Sequence, residues 1–208
     1  QDLIPLSTIV DQTGNIYVCG YFSSTADFDP SSNQFEVTST AFSQDAFLAK
    51  YDSLGQFIWV NTFGGTQVDQ GRALSFDHMG NILMVGLFEG SSDFNPDTNA
   101  TVNIVSSGML DVFVSKFDPN GDWFFTKTVG GSFDENVIGV AGDSNGNIYI
   151  SGAFTSAVDM DPNLGVNTIT TGNDRNVDAF LLSLTSNGDF RWVNPTQNTI
   201  SSNSYDIT

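Results

Sequence analysis

Three observations in the sequence predict an all-β fold built from repeated four-stranded antiparallel sheets. A turn motif at Asp11 returns at Asp77 and again at Asp143, which is a shift of 66 residues each time. Six tight-turn motifs, five of them Asp-x-x-Gly, connect short apolar runs in the three copies. No segment shows the helical periodicity of an amphipathic helix. A long repeat made of hairpins is typical of stacked β-sheets.

Each copy is predicted to contain four strands. In the middle copy they cover about 72–77, 81–88, 111–118 and 122–129. The Asp of each turn motif caps backbone N–H groups and its Gly adopts the left-handed conformation, so the first two and the last two strands are predicted to form hairpins. An insertion of about 22 residues, 89–110, separates the second and third strands and contains a β-like run at 101–105.

The strands are apolar on both faces, as in the run from Phe57 to Val60. An antiparallel sheet with one face in water normally alternates apolar and polar residues, so these sheets are predicted to be covered on both sides. Four-stranded sheets stacked face to face around an axis meet this requirement, and the predicted fold is therefore a β-propeller. Each second strand contains a glycine, which we expect where blades approach each other closely. These glycines are Gly20, Gly86 and Gly152.

The predicted domain organisation is one partial β-propeller over 1–208. Its blades cover approximately 6–65, 72–131 and 138–198, and 203–208 begin a further blade. Propellers typically close with about 4–8 blades, so three copies indicate part of a larger propeller. The third copy departs from the other two in ways that we interpret as drift. Thr185 replaces the turn Asp, Ser183 replaces Lys50 and Lys116, and Gln197-Asn198 replace a Gly-Gly pair.

The repeat resembles the bacterial β-propeller repeats labelled SBBP over nearly all of 6–208. The resemblance rests on Asp-x-x-Gly-Asn-Ile-Tyr-Val-x-Gly from Asp11, Asp-Ala-Phe-Leu-Ala-Lys from Asp45, Gly-x-Phe-x-Trp from Gly55, and the Gly pair at Gly64. It implies a β-propeller in a secreted or surface protein, and the Asp-Phe-Asp-Pro variant is similar to Bacteroidetes-type sequences. These repeats have no agreed catalytic residues, so the resemblance transfers none.

The composition excludes several classes of partner. Among the 208 residues there are 24 Asp and Glu but only 6 Lys and Arg, for a net charge of -18. Nucleic-acid binding needs clustered cations, and none cluster here, so no nucleic-acid partner is expected. The longest apolar runs are far shorter than the roughly 20 residues of a membrane span. One cysteine excludes an intrachain disulfide, and few Lys with many Asn, Ser, Thr and Gly favour an extracellular or cell-surface location.

A repeated acidic element in the insertions is the strongest candidate site. It is Asp-Phe-Asp-Pro or a variant, with carboxylates or amides two residues apart. Such side chains lie on one face of extended backbone, so their oxygens could converge on Ca²⁺. The competing interpretation is turn chemistry, in which each Asp accepts local backbone N–H bonds before a rigid Pro. The candidate calcium ligands are Asp27, Asp29, Asp93, Asn95, Asp97, Asp159 and Asp161.

Other polar residues have simpler interpretations. Asp45, Asp111 and Asp178 open the third strands, where they either form a ring of charge at a shared opening or, as we favour, cap the strand. His78 is the only histidine and occupies a variable turn position. Cys19 stands where the other copies have Val and Ser. Neither His78 nor Cys19 is expected to be catalytic.

The sequence therefore predicts no catalytic residue and, apart from the calcium hypothesis, no cofactor. Carboxylate pairs suit glycoside hydrolysis, but among 24 acids such pairs arise by chance. The arginines at 72, 175 and 191 occupy non-equivalent places and form no sialidase-like cluster. We expect a non-catalytic scaffold or a platform that binds another protein or a surface glycan, within a longer chain or surface assembly. The alternative is the propeller portion of a larger glycan-active enzyme.

Overall fold

The computed structural model describes residues 2–97, 99–171 and 177–196, and this part of the chain is all-β with antiparallel sheets. It contains eighteen strands and one short 3₁₀ turn, Thr40–Phe42, and none of its residues forms a helix long and apolar enough to cross a membrane. The predicted further blade at 203–208 lies outside the described residues. In chain order the strands are β1 Asp2–Val10, β2 Ile16–Ser23, β3 Thr25–Asp27, β4 Glu36–Thr38, β5 Gln44–Tyr51, β6 Phe57–Gly65, β7 Asp69–Phe76, β8 Ile82–Phe88, β9 Ser91–Asp93, β10 Asn103–Val105, β11 Asp111–Phe117, β12 Trp123–Gly131, β13 Asn136–Gly142, β14 Ile148–Thr155, β15 Ala157–Asp159, β16 Thr168–Thr170, β17 Val177–Leu184 and β18 Phe190–Thr196.

Twelve of the strands in the described part of the chain form three repeat units of four antiparallel strands. Unit 1 has the order β1-β2-β5-β6, unit 2 the order β7-β8-β11-β12 and unit 3 the order β13-β14-β17-β18. The units follow the predicted repeat, with small differences at their ends. The first strand of unit 2 begins at Asp69 instead of about 72, because Asp69 and Gln70 pair with Phe88 and Leu87 of β8. Its fourth strand ends at Gly131 instead of about 129, because the last two residues pair with unit 3.

Each insertion folds as a two-stranded hairpin, and the hairpins of units 2 and 3 extend the sheet of the preceding unit. β9 of unit 2 pairs with β6 of unit 1, and β15 of unit 3 pairs with β12 of unit 2. The sheets of successive units are thereby joined by backbone pairing, which the sequence did not predict. The paired residues are Gly64 with Asp93, Gly65 with Ser92, Gly130 with Asp159, and Gly131 with Val158.

The Gly-Gly pair at the end of β6 and of β12 permits this joining. A Cβ added to Gly65 would lie 2.0 Å from the Ser91 carbonyl oxygen, and one added to Gly131 would lie 2.5 Å from the Ala157 carbonyl oxygen. Neither distance allows a side chain unless the hairpin moves away. The glycine pair is therefore required wherever the next hairpin approaches the strand.

Apolar cores connect the units face to face. One core joins Tyr17 and Leu48 of unit 1 to Phe113 of unit 2, and another joins Val112 of unit 2 to Leu182 of unit 3. Every residue of β8 is buried, and β7 contacts both β1 and β13. Unit 2 is thus covered on both faces, as the continuous apolar runs predict.

The glycine of each second strand lies opposite a register shift in the first strand of its own sheet. A Cβ on Gly86 would lie 2.1 Å from the Gln70 carbonyl oxygen. Gly20 and Gly152 meet a first-strand carbonyl oxygen in the same way. The expected close approach is present, but it occurs within one sheet instead of between blades, because the bulge turns a carbonyl toward the second strand.

Gly65→Ala is expected to lower the free energy of unfolding by about 2–3 kcal/mol, because the added Cβ forces the β6–β9 pair apart. Urea denaturation followed by tryptophan fluorescence measures the change. Thr66→Ala is the matched control, since Thr66 is exposed just beyond the pairing, and it should change the free energy by less than about 0.5 kcal/mol. Equal effects of the two substitutions would contradict the role assigned to Gly65.

Candidate functional site

The turns between first and second strands are built alike in the three units. Asp77 Oδ1 accepts the backbone N–H groups of Met79 and Asn81 at 2.8 and 2.9 Å, and Oδ2 accepts the Asn81 side-chain amide at 2.9 Å. Asp11 and Asp143 make the same three bonds. The predicted turn chemistry is confirmed at these positions. Burial raises the pKa of Asp11, but its hydrogen bonds outweigh burial and hold the pKa well below its usual value.

A cavity of about 490 Å³ lies between the first turns of units 1 and 2. Its lining includes Asp11, Tyr17, Asp77, His78 and Pro119. Burial, followed by the charge of Asp11, raises the pKa of Tyr17 to about 12, so the phenol stays protonated at neutral pH. The cavity combines an apolar wall with carboxylates, an imidazole and a phenol. A concave surface of this kind suits a small ligand or a side chain of a partner.

In units 1 and 2, a lysine on the third strand contacts the following unit, at the turn between that unit's third and fourth strands. Lys50 Nζ of unit 1 donates to the Pro119 carbonyl oxygen at 2.7 Å, and Lys116 Nζ of unit 2 donates to the Ser186 carbonyl oxygen at 3.2 Å. Lys116 also forms an ion pair with Asp77 at 2.9 Å. Both members of this pair are buried, so it is screened little by water. The lysines are therefore structural cations between units.

Unit 3 has a serine at the position of these lysines, and an arginine of the neighbouring strand is bonded to it. Ser183 stands at the lysine position, and Arg191 Nη1 on the neighbouring strand donates to Ser183 Oγ at 2.8 Å. The same nitrogen lies 3.4 Å from the Tyr149 hydroxyl. Arg191 therefore places a cation beside Ser183, and the interpretation of Ser183 as drift stays a prediction.

The acidic elements of the insertions are turns within their own hairpins. Asp93 Oδ1 accepts the N–H groups of Asn95 at 3.0 Å and Val102 at 2.8 Å. Asp27 and Asp159 each accept two N–H groups in the same manner. The remaining candidates each accept the N–H two residues further on: Asp29 from Ser31, Asn95 from Asp97, Asp97 from Asn99, and Asp161 from Asn163.

These bonds use one oxygen of each side chain for the fold of the hairpin, as the turn interpretation expects. Within 2–97, 99–171 and 177–196, no three His, Cys, Asp or Glu side chains come together as a metal centre would require. The calcium assignment stays a prediction of the sequence.

The aspartates that open the third strands are buried. Asp45, Asp111 and Asp178 are 5%, 2% and 0% exposed. Asp45 Oδ2 accepts the Thr40 N–H at 2.8 Å, and Asp111 Oδ2 accepts the Ser107 N–H at 2.7 Å. At these two positions the side chain caps the loop before the strand, which is the favoured interpretation.

A second set of buried acids lies at the junctions between units and was not predicted from the sequence. Asp69 Oδ2 accepts the Gly65 N–H at 2.8 Å, and its Oδ1 accepts the Ser92 hydroxyl at 2.6 Å. Glu135, one repeat later, accepts the Gly131 N–H at 3.0 Å. Burial is the main cause that raises the pKa of Asp69 to about 7. The sequence contained one signal for these acids, because an acidic residue follows each Gly-Gly pair by four residues at the same repeat position.

The second junction lacks the serine hydroxyls of the first, because Met109 and Val158 stand at those positions. As a consequence, Asp111 Oδ1 and Glu135 Oε1 are buried, and no N–H or O–H group of the described residues donates a hydrogen bond to either oxygen. Each of these two acids influences the pKa of the other, and their proximity favours a proton retained on Glu135. Burial first, and then the neighbouring acid, raises the pKa of Glu135 to about 8, and burial raises that of Asp111 to about 6.

The remaining residues singled out in the sequence are dispersed. The His78 ring faces the turn of unit 3, where a Cβ on Gly146 would lie 2.8 Å from it. Cys19 is fully buried, and burial raises the pKa of its thiol, which suits a core residue better than a nucleophile. Arg72 lies on β7 and Arg191 on β18, whereas Arg175 lies outside the described residues.

Two curated proteins are similar in sequence to this chain. An uncharacterised WD repeat-containing protein of Acanthamoeba polyphaga mimivirus is 26% identical over 117 residues, which is 50% of this chain and 8% of that protein. The regulatory protein FlaEY of Caulobacter vibrioides is 25% identical over 162 residues, which is 76% of this chain and 17% of that protein. The chain thus spans less than a fifth of either relative. No family model matches it. The similarities support a β-rich repeat protein, and the SBBP assignment stays a prediction.

The free energy of unfolding is expected to fall as the pH rises from about 5 to about 9. Glu135 keeps its proton in the folded protein up to a pKa of about 8, whereas its ordinary value is 4.5, so its stabilising contribution is full below 4.5 and lost through 8. Because glutamine cannot ionise, the free energy of unfolding of the Glu135→Gln variant should fall by on the order of 2–4 kcal/mol less over this pH range. Urea denaturation across the pH range measures it. Glu36→Gln, at an exposed position, is the control, and an unchanged pH slope in Glu135→Gln would contradict the raised pKa of Glu135.

Lys116→Met is expected to lower the free energy of unfolding by about 3 kcal/mol, because it leaves the buried Asp77 carboxylate without its cation. Lys127→Met is the matched control, since Lys127 bonds only to Asn163 on the exposed surface among its described partners, and it should cost less than about 0.5 kcal/mol. Differential scanning calorimetry of both variants compares them. Similar melting temperatures would show that neither the ion pair within unit 2 nor the bond from Lys116 to Ser186 of unit 3 contributes to stability.

Proposed function

We propose that the chain is a β-propeller module that serves as a non-catalytic scaffold or as a platform for another protein or a surface glycan. The observation that carries this proposal is the arrangement of the units, because three four-stranded sheets pack face to face with β7 in contact with β1 and β13. Propellers place their blades in this relation around a central axis. The similarity to a WD repeat-containing protein supports the same interpretation.

The chemistry of the described residues favours binding over catalysis. The turn and insertion carboxylates accept hydrogen bonds that fold their own loops, and the junction acids Asp69 and Glu135 are almost fully buried. A catalytic pair of carboxyl groups must instead face a substrate. The cavity beside Asp77 and His78 is the concave surface that we assign to a ligand or partner side chain.

We further propose that the module is secreted or exposed on a cell surface. The net charge of -18 and the small number of lysines suit a soluble surface that repels nonspecific anionic contacts. No cofactor is proposed for the binding role, and Ca²⁺ at the insertions remains a hypothesis from the sequence. Attachment to a longer polypeptide is in keeping with the much greater length of both relatives.

Glycan-array binding and a panel of chromogenic glycosides, both applied to the full-length polypeptide, test this function. Binding without turnover is the expected result, and His78→Ala should reduce that binding at least about tenfold if the cavity is the contact surface. Leu54→Ala, in an exposed turn away from the cavity lining, is the control that should leave binding unchanged. Turnover that is abolished by Asp93→Asn or His78→Ala would overturn the proposal in favour of the glycan-active enzyme.

A further inference from the structure

A second cavity, of about 390 Å³, lies where the first strands of the three units meet. Residues of β1, β7 and β13 line it, and β7 contacts both of the other strands. It shares no lining residue with the cavity beside Asp77 and His78. Its volume lies within the range of roughly 300–1,000 Å³ that is usual for ligand pockets. The first strands therefore border a space of the size that a small molecule needs.

Each first strand contributes the extra residue of its β-bulge to this cavity. In every unit the pairing of the first strand with the second skips one residue, and the skipped residues are Leu6, Arg72 and Ile138. They stand at equivalent positions, 66 residues apart, and all three line the cavity. A bulge leaves its extra residue out of the ladder and re-aims its side chain. One cation thus shares the cavity with two aliphatic side chains.

The guanidinium group of Arg72 has no anionic partner in the described part of the chain. It forms no ion pair there, and none of its nitrogens donates a hydrogen bond to a described residue. Its Nε atom is nevertheless buried. Burial lowers the pKa of Arg72, but an arginine side chain stays protonated at neutral pH. A buried donor that carries a positive charge favours an acceptor that supplies both a lone pair and a negative charge.

A second hydrogen-bond donor, the hydroxyl group of Ser7, lines the same cavity. Ser7 Oγ accepts the Leu74 N–H at 3.2 Å, which leaves its own O–H to donate to a ligand. The equivalent residues of units 2 and 3 are Ala73 and Gly139, which have no hydroxyl group. The other two units likewise have aliphatic residues at the position of Arg72. The repeated fold therefore requires neither polar side chain, although both meet in this one cavity.

We propose that this cavity binds the carboxylate of a small organic acid that has an apolar body. A carboxylate matches the paired N–H donors of a guanidinium group and also accepts the Ser7 O–H. The side chains of Leu6, Ile138 and Val140 provide an apolar wall for the rest of the molecule. A single cation in a chain of net charge -18 favours a monoanion over a phosphate dianion, because the surrounding negative charge repels the second charge. This site is separate from the binding platform proposed above and does not depend on it.

Isothermal titration calorimetry of the full-length polypeptide with sodium hexanoate tests this site. Hexanoate is expected to bind at least about tenfold more tightly than acetate, because its alkyl chain contacts the apolar wall. Hexanamide has the same chain without the charge and should bind at least about tenfold more weakly than hexanoate. Equal affinities for hexanoate and hexanamide, tighter binding of inorganic phosphate, or no binding of hexanoate would overturn the proposal.

Substitution of the arginine assigns the binding to this cavity. Arg72→Met keeps an unbranched apolar side chain but removes the charge, and it should weaken hexanoate binding at least about tenfold. Lys127→Met is the matched control, because it removes a cation from the exposed surface, and it should leave the affinity unchanged. His78→Ala should also leave it unchanged, which separates this site from the platform cavity. Urea denaturation checks that each variant is folded, and equal hexanoate affinities of Arg72→Met and Lys127→Met would overturn the proposal.

Discussion

The structure depends on backbone pairing between one unit and the insertion hairpin of the next. This pairing is possible only where the fourth strand carries no side chains, which is why Gly65 and Gly131 lie against the carbonyl oxygens of Ser91 and Ala157. Once the hairpin is joined to the preceding sheet, the units are held in a fixed relation, and their apolar faces cover each other. Each unit therefore needs its neighbour to bury its surface, as in other repeat proteins.

Hydrogen bonds of buried polar groups also connect successive units at the same junctions. Asp69 and Glu135 each bind the N–H of the last glycine of the preceding strand, and Lys50 and Lys116 reach the next unit's turn. Burying these acids opposes their ionisation, which connects the stability of the array to pH. With pKa values raised to about 7 and about 8, Asp69 and Glu135 carry less negative charge at neutral pH than the formal count assigns to them.

The repeat register predicted the four-stranded units, their hairpin turns and their apolar faces, because each depends on residues close together in the chain. The β-like run at 101–105 was also anticipated, and β10 covers Asn103–Val105. The partner of the hairpin could not be predicted, since pairing with Gly64 and Gly65 is set by the packing of one unit on another. The junction acids were missed for the same reason. The bond from Arg191 to Ser183 was missed because it depends on the pairing of β17 with β18.

The joined sheets place the first turns and their cavity at a surface shared by two units, so a ligand bound there would contact both. The most direct test of the joining is the set of nuclear Overhauser contacts in solution between Gly64 and Asp93 and between Gly130 and Asp159. Both contacts are expected, with strength similar to those between Gly86 and Phe113 inside unit 2. Absence of the two contacts while those inside unit 2 remain would show that the units are separate sheets.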